Sequence, residues 1–150
     1  MAALLQRLMP YSQRQKGFIP VNGCLENTLI LDPVLSHAKS NLKPVYVVYL
    51  DIPKAYDSVN RSSIVRAKRT LGTPGHLCNY LASNRDAACT NVFDRIIGMT
   101  WGVKQGDPVS PLEFNAVTED VASFLDQCLV SDLDLLSLTH CLYAADVFLL

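Results

Sequence analysis

Six consecutive residues, Val45-Tyr46-Val47-Val48-Tyr49-Leu50, are all β-branched, aromatic or aliphatic, with Pro44 before them and Asp51 after. A run of that length and composition predicts a strand buried on both faces. A carboxylate at the end of such a strand must be paired, hydrated or bound to a cation, because an isolated buried charge is too costly. Any fold for this chain therefore has to bring a partner to Asp51. Tyr143-Ala144-Ala145-Asp146, set between apolar residues 138–143 and 147–150, predicts a hairpin with a second carboxylate at its turn. If the two strands neighbour each other, Asp51 and Asp146 form an oxygen-rich rim suited to a hard divalent ion.

Between these strands the pattern alternates in type. Glu26 to Ser40 has helical spacing, with Pro33 inside it, which predicts two short helices rather than one. Arg61 to Leu71 is helical with Gly72 as its stop, and Pro74 to Ala82 is a second short helix. Residues 88–103 alternate around Asp94-Arg95 as a hairpin does, and a loop from Gln105 to Pro108 leads into a helix from Ser110 to about residue 129, capped by Ser110. Asp57 reads as a cap or turn acceptor for the helix after it. The order implies an α+β fold, an antiparallel sheet with helices packed on one face, in a single domain.

Composition narrows the classes. No zinc-like Cys/His spacing exists among five cysteines and three histidines, so a reduced, intracellular protein is expected, with His140-Cys141 as core packing. No apolar run is long enough for a membrane span or an export signal. The net charge of −1 hides a split: residues 1–75 hold ten Lys/Arg and four Asp/Glu (+6), and residues 76–150 hold three and ten (−7). A basic nucleic-acid face beside an acidic metal site has that signature, as do two solvated faces of opposite sign.

Three segments together are far more specific. Leu50-Asp51-Ile52-Pro53-Lys54-Ala55-Tyr56-Asp57-Ser58-Val59 resembles the first catalytic motif of reverse transcriptases. Residues 102–115, from Gly102-Val103-Lys104-Gln105-Gly106-Asp107-Pro108 through Ser110-Pro111-Leu112-Glu113-Phe114-Asn115, resemble the second, and Tyr143-Ala144-Ala145-Asp146 stands where the third belongs. With Gln15-Lys16-Gly17-Phe18-Ile19-Pro20 ahead of them, the chain is similar to the non-LTR retrotransposon class, particularly elements that insert into ribosomal RNA genes.

The resemblance implies two-metal nucleotidyl transfer with magnesium or manganese, copying an RNA template from a DNA primer with deoxynucleoside triphosphates. Asp51, the Ile52 carbonyl and Asp146 would ligate metal. Tyr56 would lie under the incoming sugar, Gln105 and Gly106 beside the nucleotide, and Lys16, Gly17, Phe18 and Pro108 on the template or primer side. It further implies a partial fingers and palm of a right-hand polymerase, with about 14–44 on the fingers side and 45–150 as palm. N-terminal fingers strands and a thumb are expected outside this stretch, and a nuclear location is implied; oligomeric state is open. Against the family pattern, Ala145 replaces the first aspartate of the third motif, so impaired catalysis is expected. Pro33, Pro53, Trp101 and Glu113 also depart from it, as in a copy drifting without selection. The alternatives are a non-catalytic RNA- or protein-binding remnant and an unselected relic.

Overall fold

The computed structural model describes residues 2–98, 100–128 and 140–149. In chain order these form α1 (Ala2–Leu8), α2 (Gly23–Ser40), β1 (Val48–Asp51), α3 (Ala55–Ser58), α4 (Arg61–Thr70), α5 (Gly75–Asp86), β2 (Cys89–Val92), β3 (Arg95–Gly98), α6 (Ser110–Cys128), β4 (His140–Tyr143) and β5 (Asp146–Leu149). Helices are thus mixed with antiparallel sheets. The chain divides into two compact units, one from residues 1–11 and 53–117, the other from 12–52 and 118–150.

The first unit is helical apart from one hairpin. Buried Ile64, Ala67 and Lys68 recur on α4 at the spacing that puts side chains on one helix face. Ala67 joins Leu77 and Leu81 of α5, Leu112 and Ala116 of α6, and Leu5 and Met9 from the N-terminal segment in one apolar cluster. Each large side chain so buried contributes roughly 1.5–3 kcal/mol. The N-terminal segment is more than a lead-in: Leu5 is fully buried, Met9 nearly so, and the Tyr11 hydroxyl donates to the Leu112 carbonyl at 2.9 Å. Asn60, not Asp57, caps α4, its side chain accepting from the Ser62 N–H at 2.8 Å. The expected hairpin is present as β2 against β3, with Phe93 and Asp94 at its turn both at positive φ.

The second unit is built on a three-stranded antiparallel sheet ordered β1-β5-β4. Leu142 and Val147 pack against Ala122 of α6 on one face. Two expectations change here. The strand is shorter than the run 45–50, and all four residues of β1 are exposed, because β1 is the edge of the sheet rather than a central strand. And α2 is one helix of 18 residues despite Pro33. Pro33 and Leu29 both lie on its exposed side, where the carbonyl that loses its intrahelical partner can be met by water.

His140 and Cys141 are buried, as expected of core residues. Burial holds His140 below the usual imidazole range, with Arg14 adding to the depression and Asp126 opposing it. The folded state then binds fewer protons than the unfolded state between the depressed value and 6.5, so stability falls as pH drops through that window. Glu119 has the opposite sign: burial raises its carboxyl, which favours the fold toward acid. Chemical denaturation between pH 7 and 5 should therefore show a smaller acid loss in His140→Leu than in the wild type. An identical pH slope would remove His140 from this account.

Candidate active site

Asp51 and Asp146 come together in the second unit. They are directly opposed partners where β1 pairs antiparallel with β5. Partners in an antiparallel pair project to the same face with Cβ atoms about 4.5–5.5 Å apart, so the two carboxylates can share a cation. Without one, like charges so placed repel and cost stability. The Ile52 N–H donates to the Ala145 carbonyl at 3.3 Å, extending the ladder to the turn itself.

The same face carries a residue that the sequence reading did not single out. Tyr49, two residues before Asp51, packs edge-on against Phe148 with ring centroids 4.6 Å apart. The Asp146 carboxylate beside its phenol, with partial desolvation and the Asp51 charge, raises its pKa. Alternation along the strand could have placed Tyr49 beside Asp51; its nearness to Asp146 depends on cross-strand register.

The turn is held from below by Gln15, a buried side chain. Its Oε1 accepts from the N–H groups of Gly17 at 2.8 Å and Ala144 at 2.9 Å, and its Nε2 donates to the Thr118 hydroxyl at 3.1 Å and the Ala144 carbonyl at 3.4 Å. Residues 14–16 meanwhile run beside β4: the Leu142 N–H donates to the Arg14 carbonyl at 2.9 Å and the Lys16 N–H to the Leu142 carbonyl at 3.0 Å. Gly17 is required by closeness, since a Cβ there would sit 2.3 Å from the Ala144 nitrogen. Ala144 itself has φ +53°, a strained conformation for a non-glycine residue. Lys16 pairs with Glu26 at 2.6 Å, and Phe18 is half exposed.

The first unit carries the other candidate residues. The Val103 N–H donates to the Tyr56 carbonyl and the Gly102 N–H to the Val59 carbonyl, each at 2.9 Å. Gly102, at φ +77°, lets these backbones touch, because a Cβ would meet the Tyr56 carbonyl oxygen at 2.5 Å. The first and second motifs are thereby joined. The Gln105 amide reaches the Asp57 carboxylate at 3.4 Å, and the Tyr56 ring leans on Phe114 at 5.4 Å. Tyr56 is half-buried, which raises its pKa. Gly106 has φ +82° with open space around it, and Pro108 is exposed. Asp107 accepts from the Val109 N–H at 2.9 Å, so it serves the start of α6 as a cap, while the Ser110 hydroxyl donates to the Lys104 carbonyl.

Among the described residues no group of three or more His, Cys, Asp or Glu side chains could hold a metal ion together. The donor set at the sheet rim is two carboxylates and backbone carbonyls, with alanine at 145.

A family model described as "Reverse transcriptase (RNA-dependent DNA polymerase)" matches residues 1–150, and the chain belongs to that family. Its relatives narrow the type to the reverse transcriptase domain of an R2 non-LTR retrotransposon. The chain is 34% identical over 128 residues to the Retrovirus-related Pol polyprotein from type-2 retrotransposable element R2DM of Drosophila melanogaster, a match covering 79% of this chain and 12% of that protein. It is 36% identical over 127 residues to the Pol polyprotein from type-1 retrotransposable element R2 of Popillia japonica, covering 81% and 18%. The corresponding protein of Nasonia vitripennis is 37% identical over 113 residues, covering 72% and 11%. The chain thus spans less than a fifth of the length of these relatives.

Proposed function

We propose that this chain is the catalytic-centre portion of an RNA-directed DNA polymerase, with the β1–β5–β4 sheet as palm, and that it has lost a metal-bridging carboxylate at position 145. The observation that carries this reading is the direct opposition of Asp51 and Asp146 in the β1–β5 register, at the two positions where the family's motifs set their aspartates.

A divalent cation bound at this rim, magnesium or manganese, would lower the pKa of a primer 3′-hydroxyl and hold the charge that develops on the attacking and leaving oxygens. Asp51, Asp146 and the Ile52 carbonyl would hold it, and they suffice for one ion rather than a bridged pair. Tyr49 flanks Asp146 on the same face of the sheet. Tyr56, steadied by Phe114 and by its bond to Val103, presents a flat apolar surface for a deoxyribose and excludes a 2′-hydroxyl by bulk. Gln105 and Gly106 line the nucleotide, the latter leaving the backbone open for close approach. By the family's pattern, Lys16, Gly17, Phe18 and Pro108 would contact template or primer. Substrates are an RNA template, a DNA primer and deoxynucleoside triphosphates, and the location is the nucleus.

Manganese titration followed by paramagnetic broadening of amide resonances tests this reading. Broadening should begin at residues 50–52 and 145–147 and be lost in Asp51→Asn. Broadening spread over unrelated carboxylates, or unchanged in Asp51→Asn, would contradict it.

A further inference from the structure

Glu113 departs from the apolar residue expected at its place in the second motif, yet in the first unit it does not behave as a misfit. It lies in the first turn of α6, 5% exposed, and its Oε1 accepts from two cations: the Lys68 ammonium at 2.5 Å and the Arg85 guanidinium. Lys68 is fully buried on the inner face of α4, beside Ile64 and Ala67, and Arg85 is buried in the last turn of α5. Helical spacing calls for an apolar side chain at position 68 as well. Three charged residues from three helices therefore meet where packing alone would favour apolar ones. A buried charge without partners is excluded at any of these positions by its desolvation cost. Each of the three is acceptable only because the others are there.

We propose that Lys68, Arg85 and Glu113 are one interdependent unit that replaces apolar packing at the root of α6, and that Glu113 is a positioning residue for the loop 105–110 that precedes the helix. The link to the loop is short and covalent. Glu113 is three residues from Ser110, whose hydroxyl ties the helix start to the Lys104 carbonyl, and its own N–H donates to the Val109 carbonyl. Locking Glu113 to α4 and α5 fixes the turn from which Gln105 and Gly106 are suspended. Arg85 and Glu113 also line a cavity of about 510 Å³ with Lys104, Asp107 and Ser110, so the loop shares a wall with these two members of the triad. The nucleotide role of the loop rests on the function proposed above; the triad does not.

The test uses the whole 150-residue chain and needs no metal, nucleotide or template, so it stands or falls apart from the polymerase reading. Glu113→Leu leaves two buried like charges together and should lower the Tm by about 10 °C. The triple variant Lys68→Met/Arg85→Met/Glu113→Leu should return to within about 3 °C of wild type. If Glu113→Leu does not fold, Glu113→Gln takes its place. Under conditions where it is folded, hydrogen exchange at amides 105–113 in Glu113→Gln should be at least ~10-fold faster while Leu81 of α5 changes less, and the triple variant should reverse this. The proposal is overturned if Glu113→Leu is as stable as wild type, if the triple variant is no more stable than the single one, or if loop exchange in Glu113→Gln moves only in step with Leu81.

Discussion

RNA-templated primer extension by this chain should be undetectable with magnesium or manganese, and changing Ala145→Asp alone should not restore it. Asp51 and Asp146 share a face, and the proposed bridging position carries only the methyl of Ala145, which cannot ligate. If the lost carboxylate removes ~4 kcal/mol of metal and transition-state stabilisation, the rate falls about 10³-fold. The stretch spans less than a fifth of the length of its R2 relatives. Extension by the wild-type chain above a no-enzyme control would show that the two aspartates suffice.

The second large effect is structural and lies under the same turn. Gly17→Ala should destabilise the chain by roughly 3 kcal/mol or more, equivalent to a Tm about 6–12 °C lower. The added methyl would stand 2.3 Å from the Ala144 nitrogen and 2.8 Å from its Cα, both backbone atoms that cannot rotate aside. Relief would require separating residues 15–17 from the turn, which breaks the two bonds between the Gln15 side chain and the Ala144 backbone. Gly75→Ala is the matched control. Gly75 begins α5 with nothing within 4 Å of its virtual Cβ, so alanine there should stabilise by about 0.5 kcal/mol through the unfolded chain. Equal melting temperatures for Gly17→Ala and wild type would mean that the segment and the turn are not held together.

What the sequence discloses follows the range of the forces involved. Helices α4 and α6 and the β2–β3 hairpin are written in local periodicity and in stop signals such as Gly72, and they lie close to where those signals put them. The meeting of Asp51 and Asp146 was also legible, because Asp51 closes one apolar strand, Asp146 opens another, and two such strands gain by pairing. The rest depends on contacts between distant residues. Whether residues 45–50 form a central or an edge strand turns on what pairs with them, and the pairing leaves β1 outermost. Leu5 and Met9 look like an unremarkable lead-in until Leu112 and Ala116 of the distant α6 arrive to cover them. Gln15 could not be read as the support of a turn 129 residues away, nor Glu113 as anything but a departure, while Lys68 and Arg85 were invisible as its partners.

The central claim is that the β1–β5 rim is a two-metal site with one ligand missing, and manganese binding measured by calorimetry on wild type, Ala145→Asp and Asp51→Ala addresses it directly. Restoring a carboxylate at 145 should tighten binding by at least ~10-fold, about 1.4 kcal/mol, even after repulsion among three neighbouring carboxylates takes its share in the metal-free state. Ala145→Asp should accordingly be slightly less stable than wild type without metal and more strongly stabilised by it, and Asp51→Ala should bind more weakly than wild type. Manganese affinity that is the same in Ala145→Asp as in the wild type, or undiminished in Asp51→Ala, would contradict the account.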